Sequence, residues 1–268
     1  MRAAVSSPLR CISSAPSALL RSVTRVIPSA VNLVSSAGTM PVELREQKQQ
    51  ARKAIKQQLR ELTAEQMADE SARIADHVLG LRAYRDAKTI GIYLHCAKLR
   101  EVDTTRVLED AMRQGKRCYV PVVEDSNSNM RFLHLDDLSC LRRVPPFDIL
   151  EPTDTYPDGS PRQDVLGSRT PLDLLLMPGL GFDRSGRRLG RGGGYYDKML
   201  SQLQRLAEEE GHQPPLLVAL SYEAQFVPAV PVDEHDQHVD VLVAASGVYG
   251  CTEKGTAAVA AAADAQEG

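Results

Sequence analysis

Leu172-Asp173-Leu174-Leu175-Leu176-Met177 runs into Pro178-Gly179-Leu180-Gly181-Phe182-Asp183-Arg184-Ser185-Gly186-Arg187-Arg188-Leu189-Gly190-Arg191-Gly192-Gly193-Gly194 and then into Tyr195-Tyr196-Asp197. The first part is almost continuously apolar, as a central parallel strand buried on both faces must be. The last part opens a helix whose Tyr196, Met199, Leu200, Leu203 and Leu206 fall on one side. Between them lie seven glycines and four arginines. Glycine lets backbone amides approach an anion closely, a helix N-terminus adds partial positive charge, and arginine supplies forked donors. A loop of this kind after the carboxyl end of a strand is where open α/β sheets place ligands, so it reads as an anion site. It is neither of the two common nucleotide loops. No glycine here precedes Lys-Ser or Lys-Thr, and a dinucleotide fingerprint starting at Gly179 would need glycine where Arg184 stands.

Outward from this stretch, the pattern alternates between helix and strand. Ile55, Leu59 and Leu62 share a stripe on a basic helix near 43–61. Thr63-Ala64-Glu65-Gln66 is a capping box, with Leu62 and Met67 as its staple, and the helix it opens buries Met67, Ile74, Val78 and Leu81. Thr89–Leu94 reads as a strand, Thr105–Gln114 as a helix closed by Gly115, and Arg117–Val123 and Met130–Leu135 as strands. The stretch from Pro145 to Pro171 reads as a surface excursion, and Leu216–Leu220 and Val239–Ala244 as further strands. The expected fold is α/β: a three-layer α/β/α sandwich around a mostly parallel central sheet, formed by residues 40–250 as one domain. The Ala-rich 251–268 reads as a flexible tail.

Composition excludes several classes. A net charge of −3 gives no general attraction for nucleic acid, and no apolar run approaches the roughly 18 residues of a membrane span. Neither nucleic acid nor membrane is an expected partner, and the protein is expected to be a monomer. Five scattered cysteines with no close pair suit a reducing compartment. Residues 1–39 hold four arginines and nine serines but no Asp, Glu or Lys, which is the composition of an organelle transit peptide. Mitochondrion is the first expectation and plastid the second, with a cytoplasmic form if translation starts at Met40.

The segments Met177–Asp183 and Arg188–Asp197 resemble the 5-formyltetrahydrofolate cyclo-ligase (methenyltetrahydrofolate synthetase) family. Further support comes from Lys48 to Arg52, from Leu94 followed by Leu99-Arg100-Glu101-Val102-Asp103-Thr104, and from Val230-Pro231-Val232 through Asp236 to Asp240. The likeness covers residues 44–245, and Leu99–Thr104 with Asn127–His134 is most similar to plant and green-algal organellar members. It implies a sugar-phosphate isomerase/CoA-transferase-like architecture. It also implies ATP-dependent cyclisation of 5-formyltetrahydrofolate, with or without a polyglutamate tail, to 5,10-methenyltetrahydrofolate with release of ADP and phosphate. Phosphorylation of the formyl oxygen would precede attack by N10.

By the same resemblance, ATP would meet Lys48, Gln49, Gln50, Ala51 and Arg52 and the run Arg188, Leu189, Gly190, Arg191, Gly192, Gly193, Gly194, Tyr195 and Tyr196. Folate would meet Leu94, Glu101 and Arg191 through Tyr195. Arg191 and Tyr195 are the implied catalytic residues, and Asp197 and Asp236 would hold Mg²⁺. Gly193 stands where some animal members carry lysine, which shifts the demand for a cation there to Arg191. Two other readings stay open: a phosphosugar isomerase or CoA-transferase-like enzyme on the same architecture, and a non-catalytic folate- or nucleotide-binding regulator.

Overall fold

The strand Leu174–Met177 sends its side chains alternately to two hydrophobic cores. Leu174 and Leu176 join one, Leu175 and Met177 the other, and all four are at most 1% exposed. This period of two makes three layers, because each core needs its own cover of helices. Each of these leucines contributes roughly 2 kcal/mol by leaving water.

The computed structural model describes residues 42–145, 148–234 and 236–263. By its internal contacts the chain divides into two units, Met1–Thr39 and Met40–Gly268. The expected transit peptide therefore lies outside the described residues. In order, the elements are α1 (Val42–Glu61), α2 (Ala64–Gly80), α3 (Arg82–Asp86), β1 (Thr89–Ile92), α4 (Thr105–Arg113), β2 (Arg117–Val123), β3 (Met130–Leu135), β4 (Leu141–Val144), β5 (Ile149–Pro152), β6 (Leu174–Met177), β7 (Gly181–Phe182), β8 (Arg188–Leu189), α5 (Tyr195–Glu210), β9 (Leu216–Leu220), β10 (Val241–Ala244), β11 (Gly247–Gly250) and α6 (Glu253–Ala263).

The central sheet has seven strands in the order β11-β10-β9-β6-β1-β2-β3. Its five inner strands are parallel and both edges antiparallel, β3 on β2 and β11 on β10. Helices α1 to α4 cover one face through Ile55, Ile74, Tyr84 and Leu108, and α5 covers the other through Met199, Leu200 and Leu203. The capping box forms as its residues dictate: Thr63 Oγ1 accepts from the Gln66 amide at 3.1 Å while Gln66 Oε1 accepts from the Thr63 amide at 2.8 Å.

Strand order places the site. After β1 the chain moves outward to β2, and after β6 it moves the opposite way to β9. The carboxyl ends of neighbouring β1 and β6 therefore border the crevice where the winding reverses. Leu94 and Glu101 follow β1 and the glycine–arginine loop follows β6.

One expectation needs correction. Within the stretch expected as a flexible tail, Glu253–Ala263 forms α6, while residues 264–268 lie outside the described residues. The Thr252 hydroxyl donates to Asp240 at 2.7 Å, and Lys254 donates to the carbonyls of Pro214 and Pro215 at 2.9 and 2.8 Å. A helix rich in alanine has high intrinsic propensity, and these bonds at its start fix it to the sheet. The stretch from Pro145 to Pro171, expected as a surface excursion, carries local structure among its described residues. Its β5 pairs with β4, and it buries Arg162 and Val165 beside the β3 edge, where the Val165 amide donates to the Phe132 carbonyl.

Candidate functional site

Much of the loop from Pro178 to Leu189 is rigid. Strands β7 and β8 pair antiparallel, and Asp183, 3% exposed, organises the reversal between them. Its Oδ1 accepts from the amides of Ser185 and Arg187 at 3.0 and 3.2 Å and from the Ser185 hydroxyl at 2.6 Å; its Oδ2 accepts from the Val230 amide at 2.9 Å. Burial opposes ionisation of this carboxyl, but the donors from Ser185, Val230 and Arg187 outweigh it and hold its pKa below the ordinary value.

The open part is Gly190 to Gly194, where Gly192, Gly193 and Gly194 are exposed. Gly192 and Gly194 have φ of 107° and 70°, a left-handed backbone that side chains disfavour. Arg52, one turn beyond Lys48 on α1, reaches this segment. Its Nε donates to the Gly190 carbonyl at 2.9 Å, and its guanidinium carbon lies 3.6 Å from where a Cβ on Gly192 would stand. On the far side, Ser128 Oγ donates to the Gly193 carbonyl, and the Tyr195 hydroxyl donates to the Asp125 carbonyl at 2.8 Å. The cradle is thus suspended between α1 and the turn joining β2 to β3.

Arg191 crosses to the other wall. Its Nη2 donates to the Leu99 carbonyl, and its Nε lies 3.5 Å from Glu101 Oε1. Glu101 also accepts from the Cys96 amide at 3.0 Å. Burial pushes the Glu101 carboxyl above its usual pKa, against the pull of Arg191. Tyr222, on the chain after β9, donates to the Glu101 carbonyl at 3.0 Å and sits 3.1 Å from the Ser71 hydroxyl, so a buried hydroxyl pair supports this wall from below. Leu94 is 8% exposed and closes the end of β1.

The remaining candidates form two cation–carboxylate groups. Arg188, its side chain 4% exposed, donates to Asp197 at 2.6 Å, lies over the Tyr196 ring at 5.7 Å, and keeps its buried Nε without a hydrogen-bond partner. Burial raises the pKa of the Tyr196 phenol. Lys48, 3% exposed, donates to Asp236 at 2.5 Å and to Asp233 at 2.8 Å. Burial pulls its pKa down, but the two carboxylates hold it above the ordinary value. Gln49 and Gln50 are exposed and Ala51 is half-buried.

The structure therefore joins Arg191 to Glu101, Arg52 to the glycine segment, Asp197 to Arg188, and Asp236 to Lys48. Asp197 and Asp236, the two carboxylates expected to hold a metal, each pair with a cation, Arg188 and Lys48. Among the described residues no cluster of three or more His, Cys, Asp or Glu is placed to hold a metal by itself. Sequence reasoning missed Asp233, three residues before Asp236, and the Asp125–Ser128 support. The Asp233 amide donates to Asp236 at 2.7 Å, and both carboxylates reach Lys48, a convergence that sequence spacing does not show.

Fold and loop define a class: a doubly wound α/β protein with a glycine–arginine cradle at its topological switch point. Comparison with known proteins makes this specific. The model of the 5-formyltetrahydrofolate cyclo-ligase family matches residues 44–245, and the chain belongs to that family of ATP-dependent ligases. It is similar to the protein named 5-formyltetrahydrofolate cyclo-ligase, mitochondrial, of Arabidopsis thaliana, with 39% identity over 217 residues, covering 78% of each chain. The mouse 5-formyltetrahydrofolate cyclo-ligase is 34% identical over 194 residues, covering 72% of this chain and 90% of the mouse protein. Among solved structures, the Aquifex aeolicus 5,10-methenyltetrahydrofolate synthetase matches with a TM-score of 0.60 and 25% identity, over 77% of this chain and 93% of that one.

Proposed function

We propose that this protein, acting as a monomer, cyclises 5-formyltetrahydrofolate, with or without a polyglutamate tail, to 5,10-methenyltetrahydrofolate at the cost of ATP. The observation that carries this reading is the facing of two walls at the switch point: the Gly190–Gly194 cradle with Arg52 and Arg188, and the Glu101 wall bridged to it by Arg191.

A formamide carbon is a weak electrophile. Transfer of the γ-phosphoryl group to the formyl oxygen turns that oxygen into a leaving group; N10 then attacks the carbon, the N10 proton is lost and phosphate departs. Such transfer depends on positioning and charge stabilisation. The exposed amides of Gly192 to Gly194 and the Arg52 guanidinium hold the triphosphate. Arg188, buried with an unused donor, is suited to a second anionic contact. Arg191 lies between the two walls, so it can accompany the charge as it moves from nucleotide to formyl oxygen. Glu101 accepts from pterin N–H groups. The Tyr195 hydroxyl is held by the Asp125 carbonyl, so its ring face is what remains for packing against substrate.

Asp197 and Asp236 are hard oxygen donors that fit a Mg²⁺ arriving with the nucleotide, an ion that takes one or two carboxylates and completes its shell with phosphate and water. Bound there, it would neutralise charge on the phosphate oxygens. The test is the near-ultraviolet absorbance of the methenyl product after mixing protein, 5-formyltetrahydrofolate, ATP and magnesium chloride. An ATP-dependent rise is expected, and its absence rejects the reading. For location we propose mitochondrial import directed by residues 1–39. Fusion of these residues to a fluorescent reporter should label mitochondria, and plastid or cytosolic label would reject it.

A further inference from the structure

Lys48 is almost completely enclosed, and its ammonium donates to two carboxylates: Asp236 at 2.5 Å and Asp233 at 2.8 Å. Asp233 and Asp236 keep only 17% and 18% of their side-chain surface exposed, so water screens these contacts weakly. The ammonium has three donors and is a compact point charge, and each bond to carboxylate is a donor withheld from phosphate. The Asp233 backbone amide also donates to the Asp236 carboxylate, which fixes Asp236 beside Lys48. Asp236 has a proposed task at the nucleotide; Asp233 has none.

We propose that Asp233 is a positioning residue acting through Lys48: with Asp236 it forms a clamp that competes with nucleotide phosphate for the Lys48 ammonium. This rests on the reading that Lys48 meets the polyphosphate. Loading of ATP draws the ammonium off Asp233. A diphosphate, with less charge, draws it less, so the clamp recovers Lys48 more readily from ADP and lowers the affinity for product. Asp233 therefore weakens nucleotide binding, the reverse of what a residue serving only as scaffold would do.

The test is calorimetric titration of the folded protein with ATP, and separately ADP, in magnesium chloride. Asp233→Asn removes one carboxylate of the clamp and keeps its size; it is expected to bind ATP about fivefold more tightly than wild type, and ADP more tightly by a smaller factor, since ADP takes less of the Lys48 ammonium. Glu234→Gln removes the same charge from the neighbouring exposed residue and should stay within about twofold of wild type, separating the clamp from a general change of charge. In a Lys48→Met background, Asp233→Asn should change affinity by less than about twofold; if that background fails to unfold cooperatively, Lys48→Gln replaces it. Equal or weaker binding by Asp233→Asn, an equal gain in Glu234→Gln, or a gain that persists without Lys48 would overturn the proposal. If wild type takes up no nucleotide, the functional reading falls with it; uptake by wild type with no gain in Asp233→Asn removes the clamp alone.

Discussion

Replacing Arg191 by alanine separates what this residue does for folding from what it does for chemistry. Its side chain is 27% exposed and joined to the fold by the Leu99 carbonyl and by a 3.5 Å approach to Glu101. A partly exposed pair at that distance contributes about 1 kcal/mol or less. On a protein of this size such a loss lowers Tm by about 2–4 °C. If Arg191 instead accompanies charge developing on the transferred phosphoryl group, its loss removes one preorganised donor, a cost of about 100- to 1,000-fold in kcat. The assay pairs thermal unfolding with the methenyl absorbance at saturating ATP and folate. Expected are a small Tm change and a large fall in kcat, with Arg191→Lys intermediate because a point charge replaces the fork. A fall in activity no greater than the fraction unfolded, or a kcat within about tenfold of wild type, would refute the role.

Other outcomes follow from the same geometry. Because burial makes Glu101 harder to ionise in the folded state than in the unfolded one, its contribution to stability declines as pH rises through its raised pKa. Arg191→Ala should enlarge that decline, so its urea stability should fall relative to wild type as pH rises from about 4 to 7, and Glu101→Gln should abolish the effect. Asp183 behaves oppositely: its pKa is lowered on folding, so the stability it contributes is present above the ordinary Asp range and is lost on acidification through the lowered value. Asp183→Asn should cost about 2 kcal/mol at neutral pH and converge with wild type in acid, read by urea unfolding. Gly192→Ala places a side chain at φ 107°; it should raise KM for ATP more than it lowers Tm, measured by initial rates and thermal unfolding. Thr63→Ala removes the capping box and should cost about 1 kcal/mol in urea unfolding without changing kcat.

Residues with short-range periodicity showed their structure in the chain itself. Leu174–Met177, the Thr63–Gln66 box and the α5 stripe need only neighbours to be read, and they form as expected. Elements that depend on distant partners were not legible. Strand β11 exists because β10 offers an unpaired edge, and α6 because Asp240 and the Pro214 and Pro215 carbonyls anchor its start. The seven glycines looked like one cradle, whereas pairing of β7 with β8 makes half of that loop a rigid support. Asp233 was invisible for the same reason: its partner Lys48 is 185 positions away.

Strand β1 lies directly against β6, yet more than eighty positions of chain separate them, and the parallel pairing of Ile90 with Leu174 is what aligns the two walls. Such a junction closes late, since a long loop must be ordered before it is rewarded. Any molecule bridging Arg191 and Glu101 therefore acts as a rivet across this late-closing seam. It would recognise only chains whose halves have already joined, and would lend its binding free energy to keeping them so.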